Sequence, residues 1–132
     1  KIVAIDKKPM EKVENVIFFK EDFSKEDTKN KLLKIFEKKI DVVISDMAAD
    51  TTGNKNLDCI RTNFLCSEVI EFSTQVLKKK GILVAKLFMG EDFLEVKDRA
   101  KKIFKKVEFY KPNSSRSESK ETYIHCVRLN SL

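Results

Sequence analysis

Glycine and proline are scarce in this 132-residue chain, at three and two residues, and no apolar run approaches the roughly 20 residues that span a bilayer. The first scarcity excludes collagenous and disordered classes, the more so because ten phenylalanines are available to build a core. The second makes a soluble protein with no membrane partner the expectation. Cysteine occurs three times, an odd number at spacings that form no disulfide framework, so a reducing, intracellular compartment is expected. Internal repeats, low-complexity stretches and linkers are missing too, and the length suits one domain. The chain opens on Lys1 inside a strand-like run and reads as a fragment whose natural N-terminus, with any targeting signal, lies upstream.

Charge is what the chain has in plenty, at 36% of residues and a net +6. That surplus argues mildly for an acidic partner such as nucleic acid. Local clusters stand at Lys78, Lys79 and Lys80 and at Lys101, Lys102, Lys105 and Lys106. Such runs more often mark a solvated helix face, so charge alone decides nothing.

Short apolar runs alternate with amphipathic stretches. Strands are predicted at residues 1–6, 16–19, 41–45 and 82–88. Ser24 is expected to cap a helix carrying Leu32, Leu33, Phe36 and Ile40 on one stripe. Residues 47–56 read as a loop. A long helix is predicted from Asp58 to Lys79, with Ile60, Phe64, Leu65, Val69, Phe72 and Val76 on its stripe and Gly81 as its stop. Phe93, Val96, Ala100, Ile103 and Phe104 mark another helix. Strands at 107–110 and 122–129 flank a polar loop too short for a crossover helix, so this last pair should be antiparallel. The pattern predicts an α/β fold with a mostly parallel sheet covered on both faces.

Ligands of open α/β sheets bind at the carboxyl ends of strands, and three successive runs deliver an acid there: Asp6, Asp22 and Asp46. Such acids suit a ribose hydroxyl or a ligand amine, although any one of them could be a turn former. Lys86 interrupts a buried apolar strand, which is costly unless the amine is paired. Either it snorkels outward at the strand end or Asp46 on the neighbouring strand holds it, with Glu121 as a second acid. His125 and Cys126 are adjacent on a strand and face opposite ways, and Cys59 and Cys66 read as small helix residues. No metal site is expected.

Ser45-Asp46-Met47-Ala48, Ala85-Lys86-Leu87-Phe88 with Gly90-Glu91, and Lys111-Pro112 with Ser114-Ser115-Arg116, Ser119, Glu121 and Tyr123 together resemble the FtsJ-like (RrmJ-type) ribosomal RNA 2′-O-ribose methyltransferases. The resemblance runs along nearly the whole chain, and the gaps of forty residues from Asp46 to Lys86 and thirty-five from Lys86 to Glu121 fit it. It implies a Rossmann-like S-adenosylmethionine-dependent methyltransferase fold with sheet order 3-2-1-4-5-7-6 and an antiparallel last strand. It also implies a Lys-Asp-Lys-Glu tetrad, of which Asp46, Lys86 and Glu121 match the last three positions. The first lysine, strand one and the glycine-rich cofactor loop would precede Lys1. Without strand one the sheet would be split, and the 132-residue segment alone is expected to be unstable or inactive.

By the same resemblance, Asp6 matches the acid on the cofactor ribose, Asp22 and Phe23 lie near adenine, and Asp46 adjoins the cofactor. Lys111, Arg116 and Lys120 resemble the RNA-contacting edge. Ala49-Asp50 departs from the family's Pro-Asn, which should loosen that loop and add a charge. The implied activity is methylation of a uridine of large-subunit ribosomal RNA by a monomer whose partner is that RNA or the subunit. The implied compartment is the cytoplasm or, in a eukaryote, the mitochondrion or another organelle. A free lysine is protonated at neutral pH, so Lys86 is either a base with a shifted pKa or a group that orients the hydroxyl. The competing readings are a catalytically silent relative that binds RNA or a protein partner, and a nucleotide-binding enzyme of another α/β class.

Overall fold

The computed structural model describes residues 1–111 and 120–130. They form two compact units, Lys1–Glu37 and Lys38–Leu132.

In the first unit the runs Ile2–Asp6 (β1) and Val16–Lys20 (β2) pair in parallel, Ile2 opposite Val16 through Asp6 opposite Lys20. Asn15 enters β2 with φ 67°, a left-handed turn that asparagine tolerates better than most residues. Helix α1 follows at Glu26–Ile35 and buries Thr28 and Leu32. Two expectations change here. Ser24 does not cap the helix: Lys25 stands at the N-cap position, and the Ser24 hydroxyl donates instead to Asp22 at 2.7 Å. Ile40 is not on the helix stripe, since α1 ends at Ile35 and Ile40 opens the next strand.

The second unit is a four-stranded sheet in the order β3-β4-β6-β5 with two helices. Its elements are β3 (Ile40–Ser45), α2 (Lys55–Val76), β4 (Leu77–Phe88), α3 (Phe93–Ile103), β5 (Phe104–Tyr110) and β6 (Glu121–Leu129). β3 and β4 are parallel, and β6 runs antiparallel to both β4 and β5. This is the α/β arrangement expected, with β3-β4-β6-β5 following the 4-5-7-6 part of the predicted order and β1-β2 its 2-3 pair.

Alternation along the strands separates two faces. Leu83, Ala85 and Leu87 of β4, with Thr122, Ile124 and Cys126 of β6, are buried. Cys66, Val69, Ile70 and Ser73 of α2 and Val96 and Ala100 of α3 supply the helical side of the core. The opposite sheet face carries Lys86, Glu121 and Tyr123, each partly exposed.

The long helix departs from its predicted form at both ends and on its face. It starts at Lys55 because Asn54 caps it, accepting from the Leu57 amide at 3.1 Å. It stops at Val76, and Lys78 to Gly81 are a bulge of β4: four residues stand opposite the single residue Asp41. Gly81 is therefore no helix stop. A methyl group there would lie 2.9 Å from the Lys78 carbonyl and 3.2 Å from that of Asp41, so close backbone approach is what requires glycine. Ile60 and Phe64, expected in the core, are 41% and 60% exposed, whereas Thr62 and Asn63 between them are buried. Phe104, expected on the last helix, is buried as the first residue of β5.

Candidate active site

Ser45, Ala85, Ile124 and Phe109 lie in one row across the second sheet, and the next row brings Lys86 opposite Tyr123. Asp46 follows β3 immediately, and Glu121 opens β6, opposite Phe88. The side chains converge. Lys86 Nζ lies 3.2 Å from Asp46 Oδ1 and 3.9 Å from Glu121 Oε2. The lysine side chain is only 14% exposed, against 65% for Asp46 and 29% for Glu121. Snorkelling into water is thereby excluded: a buried stem carries the amine to two more open carboxylates at the strand ends.

Tyr123, a residue of the motif that carries the resemblance but not one of the expected site residues, donates its hydroxyl to Asp46 Oδ1 at 2.6 Å. That hydrogen bond, together with burial, pushes the phenol up to about 12. Its signal in the sequence was present: a tyrosine two residues after Glu121 must share that residue's face of the strand. Asp46 thus holds a lysine and a phenol on the same oxygen.

The end of β4 is clamped by a second residue that sequence reasoning passed over. Asn63 of α2 is fully buried; it accepts from the Phe88 amide at 2.7 Å and donates to the Phe88 carbonyl at 2.8 Å. It also donates to Asp92 Oδ1 at 2.7 Å, at the start of α3. Just beyond, the Met89 amide donates to the Lys120 carbonyl at 2.9 Å. Lys86 and Glu121 are therefore carried on two strand ends tied to each other and to a helix. The only signal for Asn63 was one amide inside an apolar helical stretch.

The loop after Asp46 is anchored despite its Ala49-Asp50 departure. The Ala49 amide donates to Thr62 Oγ1 at 3.0 Å, and Thr52 donates to Asp58 through both its amide and its hydroxyl. These bonds hold the Asp58 carboxyl below the usual carboxylate range. The expected loosening is offset by side chains of α2.

The other predicted residues are placed as follows. Lys111 donates to the Glu121 carbonyl at 3.1 Å, and Lys120 is exposed beside it. Arg116 lies outside the described residues, as do Pro112, Ser114, Ser115 and Ser119 of the same motif. In the first unit, Asp6 ends β1 and accepts from the Lys8 amide at 3.0 Å. Asp22 lies two residues past β2 and accepts from the Ser24 hydroxyl and amide, which lower its pKa. Phe23 follows, with the Lys29 ammonium 5.3 Å from its ring centroid. Two carboxylates and an aromatic ring at the carboxyl ends of a parallel pair suit a ligand that joins a ribose to a flat base. Cys66 and Cys126 are buried, and burial pushes both thiols up to about 12, which leaves them inert packing residues.

The profile of FtsJ-like methyltransferases matches residues 1–129. The chain belongs to the FtsJ-like methyltransferase family. A relative named ribosomal RNA large subunit methyltransferase E, from Pelagibacter ubique, is 46% identical over 126 residues, covering 96% of this chain and 62% of that protein. Its namesake from Rickettsia akari is 43% identical over 127 residues, covering 96% and 56%. The chain thus spans little more than half the length of these curated relatives. Among solved structures, a Plasmodium falciparum protein described as a ribosomal RNA methyltransferase superposes with a TM-score of 0.83 at 30% identity, covering 98% of this chain and 72% of that one. Human methyltransferase-like protein 13, solved in complex with SAH, superposes at 0.69 with 15% identity over 96% of this chain and 60% of its own, a likeness of fold. Family membership fits the α/β sheet order seen here.

Proposed function

We propose that the full-length protein is an S-adenosylmethionine-dependent 2′-O-ribose methyltransferase acting on large-subunit ribosomal RNA, with Asp46, Lys86 and Glu121 as its reacting-centre residues. The observation that carries this reading is the amine of Lys86 held between two carboxylates at the carboxyl ends of the strands. The names of the relatives support the substrate class.

When bound, the cofactor supplies a sulfonium-activated methyl group that is already a strong electrophile. The protein's own tasks are then alignment of the ribose hydroxyl and management of its proton. Lys86, fixed at its stem, orients the 2′-oxygen and stabilises the charge that develops on it, while the proton passes to solvent by way of Asp46, the more open of the two carboxylates. Asp46 and Glu121 hold the amine in place. Asp6 would hold the cofactor ribose, with Asp22 and Phe23 at the base. Lys111 and Lys120 would meet phosphates, which position an RNA without specifying its sequence.

Lys86→Ala in the full-length protein tests the assignment. Methyl transfer is expected to fall about 100-fold or more, while the affinity for S-adenosylmethionine, read by calorimetry, stays within about twofold of wild type. Near-normal turnover would remove Lys86 from the chemistry.

A further inference from the structure

The sheet edge opposite the Lys86 site collects cations that the reaction does not use. Val42, Ile82, Val127 and Lys106 form a row across that edge. Just outside it stand Lys79 and Lys80 in the β4 bulge, Arg128 after Val127, Lys105 on β5 and Lys102 in the last turn of α3. All five are exposed, and none has an ion-pair partner among the described residues. Two further lysines in the group are paired, Lys78 with Asp41 at 2.7 Å and Lys106 with Glu108 at 3.4 Å. The bulge is a built feature, because Gly81 leaves room for it where a side chain would not fit.

The reacting end of the same sheet has the opposite balance. Asp46, Asp50, Glu91, Asp92 and Glu121 stand there with Lys86, Lys111 and Lys120 among the described residues. A polyanion approaching that mouth meets mostly carboxylates and needs its attraction elsewhere. The five residues from Gly81 to Lys86 span about 16 Å of strand, roughly twice the Debye length of about 8 Å at physiological salt. Charges on the far edge therefore act on separate phosphates rather than on the reacting groups.

We propose that this basic edge is a second RNA-backbone contact surface, gripping substrate phosphates remote from the methylated ribose. It rests on the RNA substrate of the proposed function. The edge suits a nucleic-acid backbone better than an acidic protein: of its large apolar side chains Leu77 and Phe104 are 2% and 1% exposed, and Val42, 46% exposed, is too short to serve as an aromatic or long aliphatic anchor. Protein interfaces are anchored by buried aromatic or apolar contacts, whereas phosphate binding needs cations alone.

The test compares wild type, Lys79→Gln/Lys80→Gln/Lys105→Gln and the matching Lys→Arg triple in the full-length protein. Each is titrated with a structured ribosomal RNA hairpin from about 50 to about 200 mM salt. The Gln triple is expected to flatten the slope of log affinity against log salt by about two to three and to weaken binding at least tenfold at low salt. The Arg triple keeps the wild-type slope. Turnover at saturating RNA and S-adenosylmethionine affinity stay unchanged in both. An unaltered slope and affinity in the Gln triple would overturn the proposal. The same assay separates it from the proposed function: RNA binding that depends on these lysines without any methyl transfer would sink the enzymatic reading and leave the surface standing.

Discussion

Tyr123 and Asp46 share the shortest side-chain hydrogen bond at the site, 2.6 Å, and that bond has a measurable consequence. The phenol gives up its proton only at about 12, because ionisation would set a phenolate against the Asp46 carboxylate. A phenol whose pKa is raised on folding stabilises the fold fully below its unfolded value near 10, and that contribution is lost as pH rises through the folded value. Ultraviolet titration of the wild-type chain minus Tyr123→Phe should therefore show a single phenolate appearing with a midpoint near 12. A midpoint near 10 would mean that the hydroxyl does not face Asp46. The substitution also leaves Lys86 as the side-chain partner of Asp46, so in the full-length protein the variant reports how far the phenol restrains that carboxylate.

At the scale of elements, the α2–β4 junction decides where Lys86 sits. Asn63→Leu keeps the volume but removes three hydrogen bonds, stranding the Phe88 amide and carbonyl and one Asp92 oxygen in a part-buried setting. Urea unfolding should show a loss of about 2–4 kcal/mol, from the unmet polar groups. Phe64→Leu, one residue along on an exposed position, should cost no more than about 0.5 kcal/mol. Equal losses would show that the amide clamp adds nothing. This pair also marks what the sequence could reveal. β1, β2, β3 and the second half of β4 were legible because each is a short, mainly apolar run, and Asp46 and Lys86 because they end or break such a run, whereas the start of β5 was hidden by Lys105 and Lys106. The second half of the α2 stripe was legible, since Val69, Phe72 and Val76 are buried, but the first half was not, because there Thr62 and Asn63 turn inward in place of Ile60 and Phe64. Nor was the end of α2, where Lys78 to Lys80 continue a good helical composition but are pulled into a bulge by pairing of β4 with β3.

Across the whole molecule the apolar burial is uneven. Of the fifteen apolar side chains buried among the described residues, Leu32 alone belongs to the unit Lys1–Glu37, while Ile2, Val13 and Ile17 of that unit are 60%, 50% and 41% exposed. Its sheet has two strands, a size that is marginal in water without further cover. The unit Lys38–Leu132 has four strands, two helices and the remaining fourteen buried apolar residues. Opening free energies follow burial, so the two units should not open together. In native-state hydrogen exchange of the 132-residue chain, the slowest amides of β1 and β2 should exchange by openings at least about 2 kcal/mol less costly than those of Ala85, Leu87 and Ile124. The carboxylates proposed for the cofactor, Asp6 and Asp22, ride on the less protected unit, and the Lys86 cluster on the more protected one. Uniform protection across both sets would show instead that the chain opens as a single cooperative body, with the cofactor residues as firmly held as the reacting amine.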